Sequence, residues 1–185
     1  MTGASPGPST SSPPDGRWRA ALWLAVRSAA WAVLVPGVVA GYVPWRYFGV
    51  SQVSLRLARP ADALGVLTAG LGAVLLGACI AEFARSGRGT LSPVDAPTRL
   101  VVRGLYRRVR NPMYLSVSAI LLGECLLTRS LALLFYWAVW FAGVNLFVIG
   151  YEEPALRRRF GPAYDAYARA VGRWLPRIRS SPLPR

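Results

Sequence analysis

Residues 111–153 read NPMYLSVSAILLGECLLTRSLALLFYWAVWFAGVNLFVIGYEE and contain two apolar runs, 113–127 and 131–151. Only Thr128, Arg129 and Ser130 separate the runs, so the sequence predicts two antiparallel helices joined by a tight turn. A helix needs about 20 residues to cross a bilayer. The second run meets that length, whereas the first is short for a full span. The open ends of the predicted hairpin then lie on one side of the membrane.

Two further apolar runs, 20–43 and 62–84, precede this hairpin. Hydrophobic residues make up 54% of the 185-residue chain and the mean hydropathy is +0.35, values that exclude an ordinary soluble domain. The sequence therefore predicts an all-α polytopic membrane protein with about four transmembrane helices. Small residues in the second run predict close packing against a neighbouring helix; they are Ala69, Gly72, Ala73, Gly77 and Ala78.

The positive charge of the chain predicts its orientation. All 22 basic residues are arginine, and the net charge is +14. If both termini are cytoplasmic, 17 arginines lie in the cytoplasmic regions and four lie in the loops on the other side of the membrane. Because positive charge is retained in the cytoplasm, we expect a multi-pass protein of the cell membrane with cytoplasmic termini. Topology and contact with the lipid bilayer thus explain the charge, and no nucleic-acid partner is expected.

Composition also limits the chemistry. The chain has no histidine, which is the commonest general base and metal ligand. Its two cysteines, Cys79 and Cys125, lie far apart in apolar runs. We therefore expect no metal site, disulfide framework or histidine-based triad.

The chain divides into four regions. Residues 1–16 are rich in Ser, Pro and Gly and predict a disordered tail, residues 17–97 hold the first two membrane helices, residues 98–179 hold the candidate site, and residues 180–185 form a short tail. Within the third region, residues 154–179 predict one amphipathic helix on the cytoplasmic membrane face. Its apolar side would carry Leu156, Phe160, Tyr164, Tyr167 and Val171.

The polar stretch TRLVVRGLYRRVRNPMYL, residues 98–115, leads into the hairpin. Asn111 followed by Pro112 predicts a helix start, with the Asn111 side chain capping exposed amides. A helix N-terminus favours an anion, and Arg110 adds a guanidinium suited to a carboxylate or phosphate. The hairpin returns Glu152 and Glu153 to the same level. A ligand with a carboxylate and with cationic or hydroxyl groups would fit this arrangement.

Each feature also has a purely structural interpretation. Asn-Pro pairs often begin helices, arginine clusters often mark topology, and glutamates at helix ends are often solvated. Glu124 lies about 20 Å deeper than Asn111 along an ideal helix, so we expect a structural or helix-pairing role for it. Glu82 and Arg85 have the spacing of a surface ion pair of small worth.

The segments GLYRRVRNPMYL (104–115) and YEEPALRRRFGPAYDAYARAVGRWLP (151–176) resemble the isoprenylcysteine carboxyl methyltransferases, their bacterial members and the related phospholipid methyltransferases. The resemblance implies an integral membrane enzyme that uses S-adenosyl-L-methionine. It implies no catalytic residue by itself. The residues that it assigns to the cofactor are Thr98, Arg99, Leu100, Val101, Tyr106, Arg110, Asn111, Pro112, Met113, Tyr114, Glu152 and Glu153.

Two positions depart from the family pattern. Asn111 stands where the family has histidine, and Val148 stands where prenylcysteine enzymes have an arginine attributed to substrate contact. The methyl acceptor therefore stays open, as a lipophilic or small molecule with a carboxylate, thiol or amine. The alternative hypothesis is a non-enzymatic four-helix membrane protein, such as a small transporter or an assembly partner.

Overall fold

The computed structural model describes residues 34–53, 59–86, 100 and 102–177, and within these ranges it contains helices and no strand. The prediction of an all-α chain is confirmed for this part. We number the helices α1 to α6: residues 34–47, Pro60–Ser86, Pro112–Thr128, Leu131–Phe147, Glu153–Phe160 and Pro162–Ala170. Short 3-10 turns lie at Val50–Gln52 and Gly104–Arg107.

Two helices of the described residues are long and apolar enough to cross a membrane: Pro60–Glu82, within α2, and Leu131–Phe160, which begins at α4. Helix α3 is apolar but has only 17 residues. The predicted first run is described only from residue 34 onward, and the predicted tails 1–16 and 180–185 lie outside the described residues.

Helices α2 and α3 pack with their backbones in close contact. A Cβ added at Gly72 would lie 2.8 Å from the Ile120 nitrogen, and one added at Gly123 would lie 2.5 Å from the Ala69 nitrogen. Larger side chains would therefore push the helices apart. The predicted packing role is confirmed for Gly72, whereas no heavy atom of the described residues lies within 4 Å of the Cβ position of Gly77.

An ion pair joins one end of α2 to the turn between α3 and α4. The Arg129 Nη2 atom lies 2.5 Å from Asp62 Oδ1, in the first turn of α2. Arg129 has a φ of 55°, and the Ser130 hydroxyl accepts a hydrogen bond from the Leu133 N–H at the start of α4. The candidate site lies at the opposite end of the α2–α3 pair.

Helix α4 does not stop where its apolar run stops. A π-helical turn, Val148–Glu152, links it without a break to α5. A π turn accommodates one residue more than an α turn and so rotates the residues that follow it. The directions of Glu152 and Glu153 depend on this turn.

The prediction of one amphipathic C-terminal helix is wrong. The helix breaks at Gly161, which has a φ of 53°, and α6 ends at Ala170, leaving residues 171–177 irregular. The predicted apolar side chains do share a face, but Tyr164 and Tyr167 pack with Leu100 and Val102. The chain's own loop therefore covers much of the surface that was expected to lie on the membrane.

Candidate functional site

Four pieces of the chain meet at the end of α3 that begins with Pro112. They are residues 102–111, the first turn of α3, the end of the π turn with the start of α5, and residues 171–174. We call this region the polar junction. It brings together residues that are up to 72 positions apart in sequence.

Asn111 begins α3 but does not cap it. It occupies the N-cap position and Pro112 follows as the first helical residue, as predicted. However, the Asn111 side chain accepts no hydrogen bond from the helix amides; its Nδ2 atom donates to the Arg173 carbonyl at 3.4 Å. The capping prediction is therefore wrong, because a tertiary contact takes the side chain instead.

Residues 171–174 run alongside the residues that precede α3. Val109 and Gly172 form an isolated parallel bridge, in which the Arg110 N–H donates to the Gly172 carbonyl at 2.9 Å. Gly172 is buried, and a Cβ at this position would overlap the Leu175 carbonyl oxygen. Only glycine fits this turn. The sequence did not predict the contribution of this segment, because a continuous helix over residues 154–179 would have kept residues 171–174 away from the start of α3.

Two arginines converge on the buried carboxylate of Glu153. Arg173 binds it through two hydrogen bonds, from Nε to Oε1 at 2.6 Å and from Nη2 to Oε2 at 2.9 Å. The Arg110 Nη1 atom lies 2.9 Å from the same Oε1 and also donates to the Tyr164 hydroxyl at 3.3 Å. The bond with Glu153 raises the pKa of Arg173 further above its ordinary value. The cluster is therefore a charged arginine–glutamate–arginine bridge.

One donor of Arg110 is left over. Its Nε atom is buried and has no hydrogen-bond partner among the described residues. The side chain is only 11% exposed, so water does not freely reach this N–H. A buried donor without an acceptor is costly, and such a group often marks a place where a ligand atom binds.

Glu152 points to a different neighbour. The Tyr114 hydroxyl, one turn into α3, donates to Glu152 Oε2 at 3.2 Å. The Trp174 ring stands edge-on to the Tyr114 ring with centroids 6.4 Å apart, and its indole N–H donates to Asn145 Oδ1 at 3.0 Å. Trp174 thus fixes the outer side of Tyr114. Sequence reasoning missed both Trp174 and Asn145 as parts of this region.

Tyrosines line the inner side of the polar junction. The Tyr167 hydroxyl donates to the Tyr106 carbonyl at 2.7 Å. Burial raises the pKa of Tyr106 well above its ordinary value, and nearby Cys79, Tyr167, Glu152 and Tyr114 raise it further. Burial likewise raises the pKa values of Tyr164 and Tyr167. These phenols therefore stay protonated at neutral pH and act as donors rather than as bases.

The Glu82 carboxylate lies beside the loop before α3: a Cβ at Gly104, which has a φ of 51°, would lie 3.6 Å from Glu82 Oε2. The Arg85 side chain lies outside the described part of the chain, so the predicted Glu82–Arg85 pair stays a prediction. Glu82 ends the apolar part of α2 and faces the loop rather than only solvent. The helix length alone could have suggested that it reaches this level.

Seven of the predicted cofactor residues meet in or beside the polar junction; they are Tyr106, Arg110, Asn111, Pro112, Tyr114, Glu152 and Glu153. Met113 lies in the same first turn and is half-buried. Leu100 packs with the Tyr164 and Tyr167 cluster. Thr98, Arg99 and Val101 lie outside the described residues.

Glu124 belongs to the other end of α3. Its carbonyl accepts a hydrogen bond from the Thr128 hydroxyl at 2.8 Å, in the last turn of the helix. Its Oε2 atom is buried without a partner among the described residues. Among all the residues that the structure describes, no three or more Cys, Asp or Glu side chains group together in a way that could hold a metal ion.

The described residues thus combine apolar helices, two of them long enough to cross a membrane, with a charged cluster at one end of the α2–α3 pair. A family model described as phospholipid methyltransferase matches residues 61–163, more than half of the chain. The chain therefore belongs to the phospholipid methyltransferase family, in agreement with the resemblance in its motifs. Neither the curated proteins nor the solved structures give a match.

Proposed function

We propose that this protein is an integral membrane methyltransferase that binds S-adenosyl-L-methionine at the polar junction. The family supports methyl transfer in a membrane setting. The observation that carries the cofactor proposal is the buried Arg110 Nε–H, which has no acceptor among the described residues and lies just before the start of α3. Tyr114, in the first turn of the same helix, bonds to the carboxylate of Glu152. A cationic donor and a carboxylate therefore lie within one buried region.

The donors and acceptors fit the cofactor's charged end. The Arg110 Nε–H, with the unpaired amides at the start of α3, suits the methionine carboxylate. Glu152 suits the α-ammonium or the ribose hydroxyls, because an ionised carboxylate accepts hydrogen bonds only. Tyr106 is buried near Glu152 and Tyr114 and keeps its proton. When bound, S-adenosyl-L-methionine supplies a methyl group on a sulfonium.

The remaining predicted residues fall into two supporting roles. Pro112, Met113 and Leu100 supply apolar contact and fix the backbone before and within the first turn of α3. Glu153 acts through Arg110, because both of its oxygens are already engaged by guanidinium groups. Thr98, Arg99 and Val101, which lie outside the described residues, are assigned to the cofactor only by their place in the family motif.

The chemistry demands little from the protein beyond alignment and exclusion of water, because the donor is already activated by its positive charge. An anionic acceptor needs no base. A thiol or amine acceptor must lose a proton, and among the predicted site residues Glu152 is the candidate to receive it, since Glu153 is ion-paired and the tyrosines stay protonated.

We place the acceptor entrance on the bilayer side. Exposed apolar residues cover α2 and α4, which suits contact with lipid; they include Leu67, Val74, Phe135 and Leu146. Val148 is fully buried and offers no guanidinium to an acceptor carboxylate. The enzyme is thus isoprenylcysteine carboxyl methyltransferase-like in its cofactor motif, with a lipophilic or small acceptor. Because most arginines lie in the regions on the same side as the polar junction, we place the polar junction and both termini on the cytoplasmic side of the cell membrane.

The test is a transfer assay with methyl-labelled cofactor. Membranes that contain the protein are incubated with it, and label is followed into lipid, protein and volatile products. The proposal predicts label in one of these fractions, and at least a tenfold lower rate for Glu152→Ala at equal membrane content. Transfer no greater than in membranes without the protein would instead favour a transporter or assembly partner.

A further inference from the structure

The carboxylate of Glu153 has more binding capacity than Arg110 uses. Arg110 contacts only Oε1 of Glu153, through its Nη1 atom. Arg173 bonds to both oxygens, and among the described residues it is the only donor to Oε2. A carboxylate and a guanidinium prefer a two-bond fork when both are free to form it. Arg110 is held out of that fork by Arg173.

This competition explains why the Arg110 Nε–H has no acceptor. In a planar guanidinium, the Nη1 edge that faces Glu153 and Tyr164 leaves Nε directed elsewhere. Without Arg173, the freed Glu153 oxygens could draw Arg110 into a fork of their own. The donor that should meet the ligand would then be turned away or neutralised.

We infer that Arg173 is a positioning residue, which occupies Glu153 so that Arg110 presents its Nε–H to the carboxylate of the bound cofactor. The inference rests on the proposed function. Arg173 lies outside the residues 61–163 matched by the family model. It is tied to the site by backbone as well as by charge, because its own carbonyl accepts from Asn111 and Gly172 pairs with Arg110.

The test compares two ligands that differ in one group. S-adenosylhomocysteine carries the carboxylate, and its decarboxylated analogue S-adenosyl-3-thiopropylamine does not. Wild-type protein in lipid nanodiscs should bind S-adenosylhomocysteine about 10- to 100-fold more tightly than the analogue, the usual range for a hydrogen bond to a charged group. Arg173→Ala should reduce this preference to within about threefold while the Kd of the analogue stays nearly unchanged.

Two further variants separate positioning from folding. Arg173→Lys keeps a cation on Glu153 and should retain most of the preference. In Arg173→Ala/Glu153→Gln the competing charge is gone, so the preference should recover at least partly. Arg177→Ala is the matched control, because this exposed arginine bonds only to the Arg169 carbonyl among the described contacts.

Several results would overturn the inference. Equal weakening of both ligands in Arg173→Ala would make Arg173 a structural residue, and an unchanged preference would give it no role in binding. A preference that stays lost in the double variant, or a Lys variant that behaves like the Ala variant, also contradicts the competition. Failure of the proposed function is distinct: the wild type would then bind neither ligand, or Arg110→Ala would keep the full preference.

Discussion

The Tyr114 hydroxyl lies 3.2 Å from Oε2 of Glu152 and joins the first turn of α3 to the end of the π turn. This bond places the carboxylate at the level of the residues that begin α3, although Glu152 follows Arg110 by 42 positions in the sequence. Glu152 and Glu153 consequently differ in their contacts. Among the described residues, Glu152 accepts a hydrogen bond from Tyr114, whereas Glu153 bridges two arginines.

Replacing Glu152 should separate binding from folding. Glu152→Ala removes the available carboxylate and should weaken S-adenosylhomocysteine binding about 10- to 100-fold, as expected for hydrogen bonds to a charged group. Tyr114→Phe removes one neutral donor and should weaken it about 2- to 10-fold. Titration calorimetry in one detergent checks both. A larger loss for Tyr114→Phe than for Glu152→Ala would refute these roles.

The contact between α2 and α3 should tolerate no side chain at Gly72. Gly72→Ala places a methyl group against the Ile120 backbone and should destabilise the protein by about 1–3 kcal/mol. Gly77→Ala is the matched control in the same helix, because its Cβ would meet no atom of the described residues within 4 Å. Melting temperatures in the same detergent measure the difference. Equal losses in both variants would contradict the packing described above.

Gly172 should be needed for the cofactor site although it touches no proposed ligand atom. In Gly172→Ala the added Cβ collides with the Leu175 carbonyl, so residues 171–174 must shift and the bond from the Arg110 N–H weakens. We expect at least a tenfold loss of S-adenosylhomocysteine affinity. Gly143→Ala, on an open face of α4, should bind as the wild type does. Normal binding by Gly172→Ala would remove the C-terminal segment from the site.

Alkaline pH should destabilise the region through its tyrosines. Burial raises the pKa of Tyr167, so the folded state keeps its proton above pH 10, where the unfolded chain loses one. The unfolded state then binds fewer protons, and stability falls as pH rises from about 10 towards the folded pKa. Tyr167→Phe should be less stable at pH 7, because it loses the bond to Tyr106, but should show a flatter decline. Melting temperatures at pH 7 to 11 test this; an equally steep decline would contradict it.

The sequence predicted much of the frame because the relevant signals are local. Apolar run length and the three polar residues 128–130 placed α3 and α4 to within a few residues. The Asn111-Pro112 pair located the start of α3, and the return of the chain placed Glu152 near it. Both depend only on helix geometry and on neighbouring residues.

The details of the site depend on contacts that local patterns do not encode. The π turn changes the register of Glu152 and Glu153, so a count along an ideal helix could not assign their directions. The predicted C-terminal helix runs through Gly161, but the positive φ of this residue breaks it. The fold-back of Gly172 and Arg173, which removes the Asn111 cap and engages Glu153, involves partners about 20 to 60 residues away.

The binding of S-adenosylhomocysteine to the purified protein in lipid nanodiscs measures most directly whether the polar junction holds the cofactor. We expect saturable binding at one site, with affinity lost in both Arg110→Ala and Glu152→Ala while the variants still insert and fold. The absence of saturable binding to the wild type, or unchanged affinity in both variants, would contradict a cofactor site at the polar junction.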